Sequence, residues 1–136
     1  MHTIRLGFIG VAWLFLACVV VQVFLAGLGV FAGAHNFNLH REFGYLFGWL
    51  TLLMLLLAIG GRLGRRWIGL SALLLVLFAL QSVFVALREV LPVAAAFHPV
   101  NALAIFGVAL HVARRSGAVL GAGPTAVEPA AEASRA

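Results

Sequence analysis

Residues 22–48 read QVFLAGLGVFAGAHNFNLHREFGYLFG, in which Gln22 lies in one apolar run and His40, eighteen residues later, opens the next. A similar stretch follows further along the chain, where His98 comes seventeen residues after Gln81. Recurrence of this spacing predicts that the chain contains two copies of one helix pair. Polar residues are costly inside a membrane span, so a sequence that repeats them at matching positions predicts that they serve one shared purpose.

The composition predicts an integral membrane protein. Hydrophobic residues make up 64% of the 136 positions and charged residues 10%, against about 45–50% and ~25% in a soluble domain. A transmembrane helix needs about 20 apolar residues, and four stretches approach or meet this length: 6–31, 43–60, 67–87 and 100–112. We therefore expect an all-α, up-and-down four-helix transmembrane bundle with an internal two-helix pseudo-repeat. It should occupy residues 1–115, and residues 116–136 should form a disordered cytoplasmic tail, because apolar periodicity ends there.

The positive charge indicates topology. The net charge is +5, and all nine basic residues are arginines. Seven of them fall on one side of the predicted membrane, and the other two, Arg41 and Arg88, fall on the opposite side, each followed by a glutamate. This bias predicts cytoplasmic termini in a bacterial plasma membrane. It also assigns the charge to contact with anionic lipid and disfavours a nucleic-acid partner.

Small residues follow the two polar positions. Ala26, Gly29 and Gly33 continue the helical face of Gln22, and Gly44 follows His40 by four residues. Such stripes allow either close packing of another helix or the approach of a flat ligand. The sequence leaves both interpretations open.

The two histidines suggest a haem site. Both begin helices that run from outside to inside, on diagonal partners of the bundle whose axes should lie about 12–14 Å apart. Two imidazoles with an iron between them fit that gap, and arginines at the rim would pair with the propionates of a b-type haem. Ligation by two histidines favours electron transfer or haem handling over oxygen chemistry. The candidate cofactor-binding residues are His40, His98, Gln22, Gln81, Gly29, Gly44, Ala102, Arg41 and Arg88, with His40 and His98 as the metal ligands.

Other functions fit the same residues. The protein could be a cofactor-free structural or partner-binding subunit, in which the two glutamines join the first and third helices by amide hydrogen bonds. The same outer mouth could instead hold a quinone, transport or metal site, the last using His35 with the paired histidines and Glu42. A redox partner or a homo-oligomer is compatible with each of these functions. His111 is expected at the cytoplasmic interface, outside the site.

Two segments carry a family resemblance. Residues 22–31 and 98–106 resemble a family of small four-span bacterial membrane proteins of unknown function. More distantly, a glutamine in each odd helix and a histidine opening each even helix is similar to one four-helix half of haem A synthase, where such histidines bind haem. The resemblance implies that His40 and His98 are axial ligands. It does not imply catalysis, because this chain has only one bundle, and we expect no catalytic residues.

The topology can be tested with single cysteines at positions 36 and 63. In a background where Cys18 is replaced by alanine, a membrane-impermeant thiol reagent applied to intact cells should label Asn36→Cys and leave Leu63→Cys unlabelled. Permeabilised cells provide the control, since both positions should then react. Labelling of position 63 alone in intact cells would reverse the orientation.

Overall fold

The computed structural model describes residues 1–121, and four long helices dominate it. Each is long and apolar enough to cross a membrane. The prediction of an all-α four-helix bundle is therefore confirmed, and the protein is a multi-pass membrane protein. The elements are α1 (His2–Phe31), a 3-10 turn (Ala34–Asn36), α2 (Phe37–Gly60), α3 (Arg65–Ala86), α4 (Pro92–Ala95), α5 (Phe97–Arg115) and α6 (Ala118–Gly121).

The four long helices form a closed ring. α1 packs on α2, α2 on α3, α3 on α5, and α5 returns to α1. Because neighbours are antiparallel, α1 and α3 run in one direction and α2 and α5 in the other. We call the end where α2 and α5 begin the histidine end, and the opposite end, where α1 and α3 begin, the arginine end.

The helices at the histidine end are longer than hydropathy predicts. α2 begins at Phe37 and α5 at Phe97, before the apolar stretches that start at residues 43 and 100 and before the expected helix starts at His40 and His98. Polar residues near a membrane surface lower hydropathy without ending a helix, so a purely apolar window misses these turns. His40 consequently lies about one turn inside α2, instead of at its first residue.

The buried residues repeat with the helices. Buried positions of α1 recur in α3 at 59 residues further on, and those of α2 recur in α5 at 58 residues further on. These two registers also relate the two glutamines and the two histidines. The pseudo-repeat thus extends from the polar pairs into the core. The matched positions are Phe8, Ala12 and Phe15 with Trp67, Ser71 and Leu74, and Phe47, Thr51 and Met54 with Ile105, Ala109 and Val112.

Order extends beyond the predicted domain boundary at residue 115. Buried Ser116 donates to the Ala113 carbonyl at 2.9 Å, and Val119 of α6 is buried against the bundle. The Arg5 guanidinium also donates to the Val119 carbonyl at 3.0 Å, which ties α6 to α1. The rest of the predicted tail, residues 122–136, lies outside the described residues.

Gly48 lets α2 and α3 approach closely. A Cβ atom at Gly48 would lie 2.5 Å from the ring of Phe78, which itself packs against Phe15 and Phe47. We expect Gly48→Ala to destabilise the bundle by about 1–3 kcal/mol, as overpacking does. Thermal unfolding in detergent measures the effect.

The matched control is Gly10→Ala, where an added Cβ has no neighbour within 4 Å. This change should stabilise α1 slightly, by up to ~1 kcal/mol, because alanine favours helix. Combining Gly48→Ala with Phe78→Leu should recover part of the loss. Equal melting temperatures for Gly48→Ala and wild type would refute the close contact.

Candidate functional site

The two repeated histidines meet at the histidine end. His40 projects from α2 and His98 from α5, and their ring centroids are 6.2 Å apart with 63° between the ring planes. α2 and α5 are diagonal in the ring of helices, so the two side chains reach across the bundle to each other. Both rings are half-buried. The histidine pair is therefore the central feature of this end.

The same backbone contact orients each ring. His40 Nδ1 lies 3.0 Å from the carbonyl oxygen of Gln22, and His98 Nδ1 lies 3.2 Å from that of Gln81. A carbonyl oxygen only accepts, so Nδ1 must carry the proton in both rings. An imidazole whose single proton is on Nδ1 keeps a free lone pair on Nε2. Metal-binding histidines are commonly held in this way, with the second ring nitrogen donating to a carbonyl.

The two glutamine side chains make different contacts. Gln22 Nε2 donates to the backbone carbonyl of His40 at 2.7 Å, whereas Gln81 Oε1 accepts from Asn101 Nδ2 at 2.9 Å. Gln22 therefore joins α1 to α2, and Gln81 joins α3 to α5. The amide bridge between the first and third helices that the structural alternative predicted is absent from residues 1–121.

One buried acceptor near His40 has no partner. Gln22 Oε1 is buried without a hydrogen bond in the described part of the chain. In the second repeat, Asn101 supplies the matching donor, but the corresponding residue of the first repeat is Phe43, which has none. Buried polar groups are nearly always paired. Gln22 Oε1 therefore provides an acceptor for a ligand or a water at this site.

Side chains of the protein itself fill the space that two of the glycines leave. A Cβ at Gly29 would lie 2.7 Å from the Phe37 ring, and one at Gly44 would lie 2.9 Å from Gln22 Nε2. The sequence predicted that these glycines and Ala102 make room for a flat ligand. At Gly29 and Gly44 the room is instead used for close packing, which was the other interpretation of the stripe.

A layer of phenylalanines separates the histidines from the core. Phe47 packs against Phe15, Phe43 and Phe78 with ring centroids 5.1–5.6 Å apart. On α1, the buried large side chains all lie before Gln22, between the arginine end and the level of the histidine pair. Packed aromatic rings therefore close the site on the side that faces the core.

The remaining predicted residues lie at the rim or elsewhere. Arg41 pairs with Glu42 at 3.0 Å and Arg88 with Glu89 at 2.9 Å, and all four side chains are exposed. His35 is also exposed. Residues 1–121 contain no group of three or more His, Cys, Asp or Glu side chains placed to hold a metal, so the three-histidine site with Glu42 is not formed.

Two residues of the site were not predicted. Asn101 donates a hydrogen bond to Gln81 in the second repeat, and the ring of Phe37 packs over Gly29. Asn101 stands three residues after His98 inside an apolar segment, and an amide at that spacing on the same helical face was an available signal. Nothing in the sequence indicated Phe37, since one more aromatic residue near a membrane surface is common.

Residues 22–88 match the model of a family of unknown function, DUF6220. The matched segment runs from Gln22 to the rim arginine Arg88 and so includes His40 and Gln81, while His98 lies beyond it. No curated protein and no solved structure matches the chain. The resemblance to haem A synthase accordingly receives no support from these comparisons.

Asn101 offers a direct test of the hydrogen bonds at the site. Its amide donates to both Gln81 Oε1 and the Leu77 carbonyl, at 2.9 and 2.8 Å. Asn101→Leu should lower stability in detergent by roughly 0.6–1.7 kcal/mol, the range for hydrogen bonds inside membranes. Asn38→Leu is the matched control because Asn38 is exposed. An equal response to the two substitutions would contradict the assigned contact.

Proposed function

We propose that this membrane protein binds one b-type haem between His40 and His98 and uses it for electron transfer or haem handling. The observation that supports the proposal most is the repeated bond from Nδ1 of each ring to a glutamine carbonyl, which leaves both Nε2 atoms able to bind a metal. The proposed setting is a bacterial plasma membrane with both termini in the cytoplasm, which puts the histidine end outside.

The separation of the rings is compatible with one metal between them. Metal–imidazole bonds of about 2.0–2.1 Å place the centroids of two rings on opposite sides of a metal roughly 6–6.5 Å apart. The centroids of His40 and His98 are 6.2 Å apart. The 63° angle between the rings is no obstacle, since two ligands on a common axis can take any angle around it.

The donor set favours haem over a bare metal ion. A structural zinc site usually has four protein ligands, and residues 1–121 offer no third His, Cys, Asp or Glu side chain beside the pair. The remaining segment, residues 122–136, contains neither histidine nor cysteine. A porphyrin supplies four ring nitrogens and needs only the two axial imidazoles from the protein.

Room for the porphyrin requires a local rearrangement. Phe37 covers Gly29, and 43% of the Phe37 surface is exposed, so rotation of its ring away from the bundle would open the glycine face. The exposed guanidinium groups of Arg41 and Arg88 are at the same end and would exchange a glutamate partner for a propionate. The separation of the two rings supports haem binding, and the surrounding side chains would have to make this movement.

A second candidate is a cofactor-free membrane subunit. The close packing of side chains against Gly29 and Gly44 favours it, because such packing is typical of a helix interface that holds no ligand. In that case His40 and His98 act only as hydrogen-bond donors that join α2 to α1 and α5 to α3. Their loss would lower stability but would change no spectrum.

Absorption spectra of the purified protein distinguish these functions. After expression with added haem, the wild type should show a low-spin Soret band that shifts on reduction with dithionite. His40→Ala and His98→Ala should each abolish the low-spin spectrum, because a metal held by two histidines loses an axial ligand. His35→Ala and His111→Ala are the matched controls and should keep the wild-type spectrum.

Melting temperatures complete this experiment. Under the haem proposal, added haem raises the melting temperature of the wild type and not that of the double variant His40→Ala, His98→Ala. Identical spectra and identical haem-dependent shifts for the wild type and the double variant would end the proposal. A colourless wild type whose histidine variants melt at lower temperature would support the cofactor-free subunit.

A further inference from the structure

A cleft lies at the arginine end, at the opposite end of the bundle from His40 and His98. This cleft, of about 560 Å³, runs along the outer face of α5 and is lined by Gly107, Leu110, His111, Arg114 and Arg115. This face points away from the core, because the buried residues of α5 lie on the opposite side of the helix. The lining changes from apolar to cationic along the cleft, from Gly107 to Arg115.

A contact between helices shapes the cationic part of the cleft. Arg66 of α3 donates through Nη2 to His111 Nε2 at 3.0 Å. A guanidinium has no acceptor, so His111 Nε2 accepts and the ring proton is on Nδ1. The Arg66 guanidinium also lies 5.7 Å from the centre of the Trp67 ring, which holds it beside α5. The cleft is thus lined by the guanidinium groups of Arg114 and Arg115, and a third, that of Arg66, contacts the lining residue His111.

These cations lack carboxylate partners within residues 1–121. That part of the chain has only two acidic residues, Glu42 and Glu89, and both pair with arginines at the histidine end. Arg66, Arg114 and Arg115 are exposed. Several guanidinium groups on one surface favour an anionic ligand with several oxygen acceptors, such as a phosphate group.

The depth of the cleft decides between a soluble phosphate and a lipid. Gly107 lies seven residues before Arg114, which corresponds to about 10 Å along the helix. An added Cβ at Gly107 would have no neighbour within 4 Å, so the surface at this position is open. A free phosphate would occupy only the cationic mouth. A phospholipid would also place an acyl chain along Gly107 and Leu110, at the depth of the hydrocarbon.

We propose that this cleft is a binding site for an anionic phospholipid, with its phosphate at Arg66, His111, Arg114 and Arg115 and one acyl chain along Gly107. The site is independent of the proposed haem site. It differs from general attraction of basic residues to acidic membranes, because it requires one groove on α5 as well as charge.

Lipid retention tests the proposal. The full-length protein is placed in phosphatidylcholine nanodiscs with increasing phosphatidylglycerol, and bound phosphatidylglycerol is measured by native mass spectrometry after release in mild detergent. Arg115→Gln should weaken retention about fivefold, the effect expected for one basic residue at a membrane surface. Arg62→Gln removes the same charge from the α2–α3 turn, outside the cleft lining, and should change retention less than twofold.

A pair of glycine substitutions tests the groove without changing charge. Gly107→Leu should reduce retention because its side chain enters the acyl part of the cleft. Gly69→Leu is the matched control, since Gly69 is also exposed on a long helix with no neighbour within 4 Å of an added Cβ. Equal retention by Gly107→Leu, Gly69→Leu and the wild type would overturn the proposal.

The remaining outcomes concern other occupants. Displacement of phosphatidylglycerol by millimolar inorganic phosphate, equally in wild type and Gly107→Leu, would identify a soluble-anion site and overturn the lipid proposal. Retention that appears only after Glu128→Gln and Glu132→Gln would assign the cleft to the chain's own C-terminal segment and would also overturn it. Retention insensitive to inorganic phosphate, and lost in Arg115→Gln and Gly107→Leu, supports it.

Discussion

The contact between each histidine Nδ1 and a glutamine carbonyl determines the arrangement of the histidine end. The bond occurs once in each half of the bundle. It joins α2 to α1 at 3.0 Å and α5 to α3 at 3.2 Å. The bond joins the two helices, and because a carbonyl oxygen only accepts, it also fixes the proton on one ring nitrogen. The closeness of the two rings and the availability of both Nε2 atoms follow from it.

The two halves share this bond but differ beside it. Asn101 completes the hydrogen bonds of Gln81, while Phe43 in the matching position gives Gln22 an aromatic neighbour and no donor. In the half that contains His98, the glutamine side-chain oxygen has a hydrogen-bond donor. In the half that contains His40, the corresponding oxygen is buried without one. A ligand at this site would meet two similar axial donors but unequal surroundings, so its two faces would be distinguishable to the protein.

Much of the fold could be predicted from the sequence, because apolar length and arginine placement are strong signals for membrane spans. The pairing of His40 with His98 also followed from the spacing of the repeat. The packing of Phe37 against Gly29 did not follow from the sequence. A glycine stripe indicates that another group approaches closely, but it does not identify that group. The partner of Gln81 depended on whether α5 begins early enough to bring Asn101 alongside α3, which hydropathy alone cannot specify.

The parallel direction of α1 and α3 has a consequence for how such a protein could arise. The two helix hairpins enter the membrane in the same orientation, so joining two copies of one hairpin requires no inversion of either. A single hairpin of this type would contain one glutamine and one histidine. The paired imidazoles exist only where two hairpins meet, which makes the pair a property of the repeat and not of either hairpin, in the same way that a symmetric dimer can build a centre on its axis.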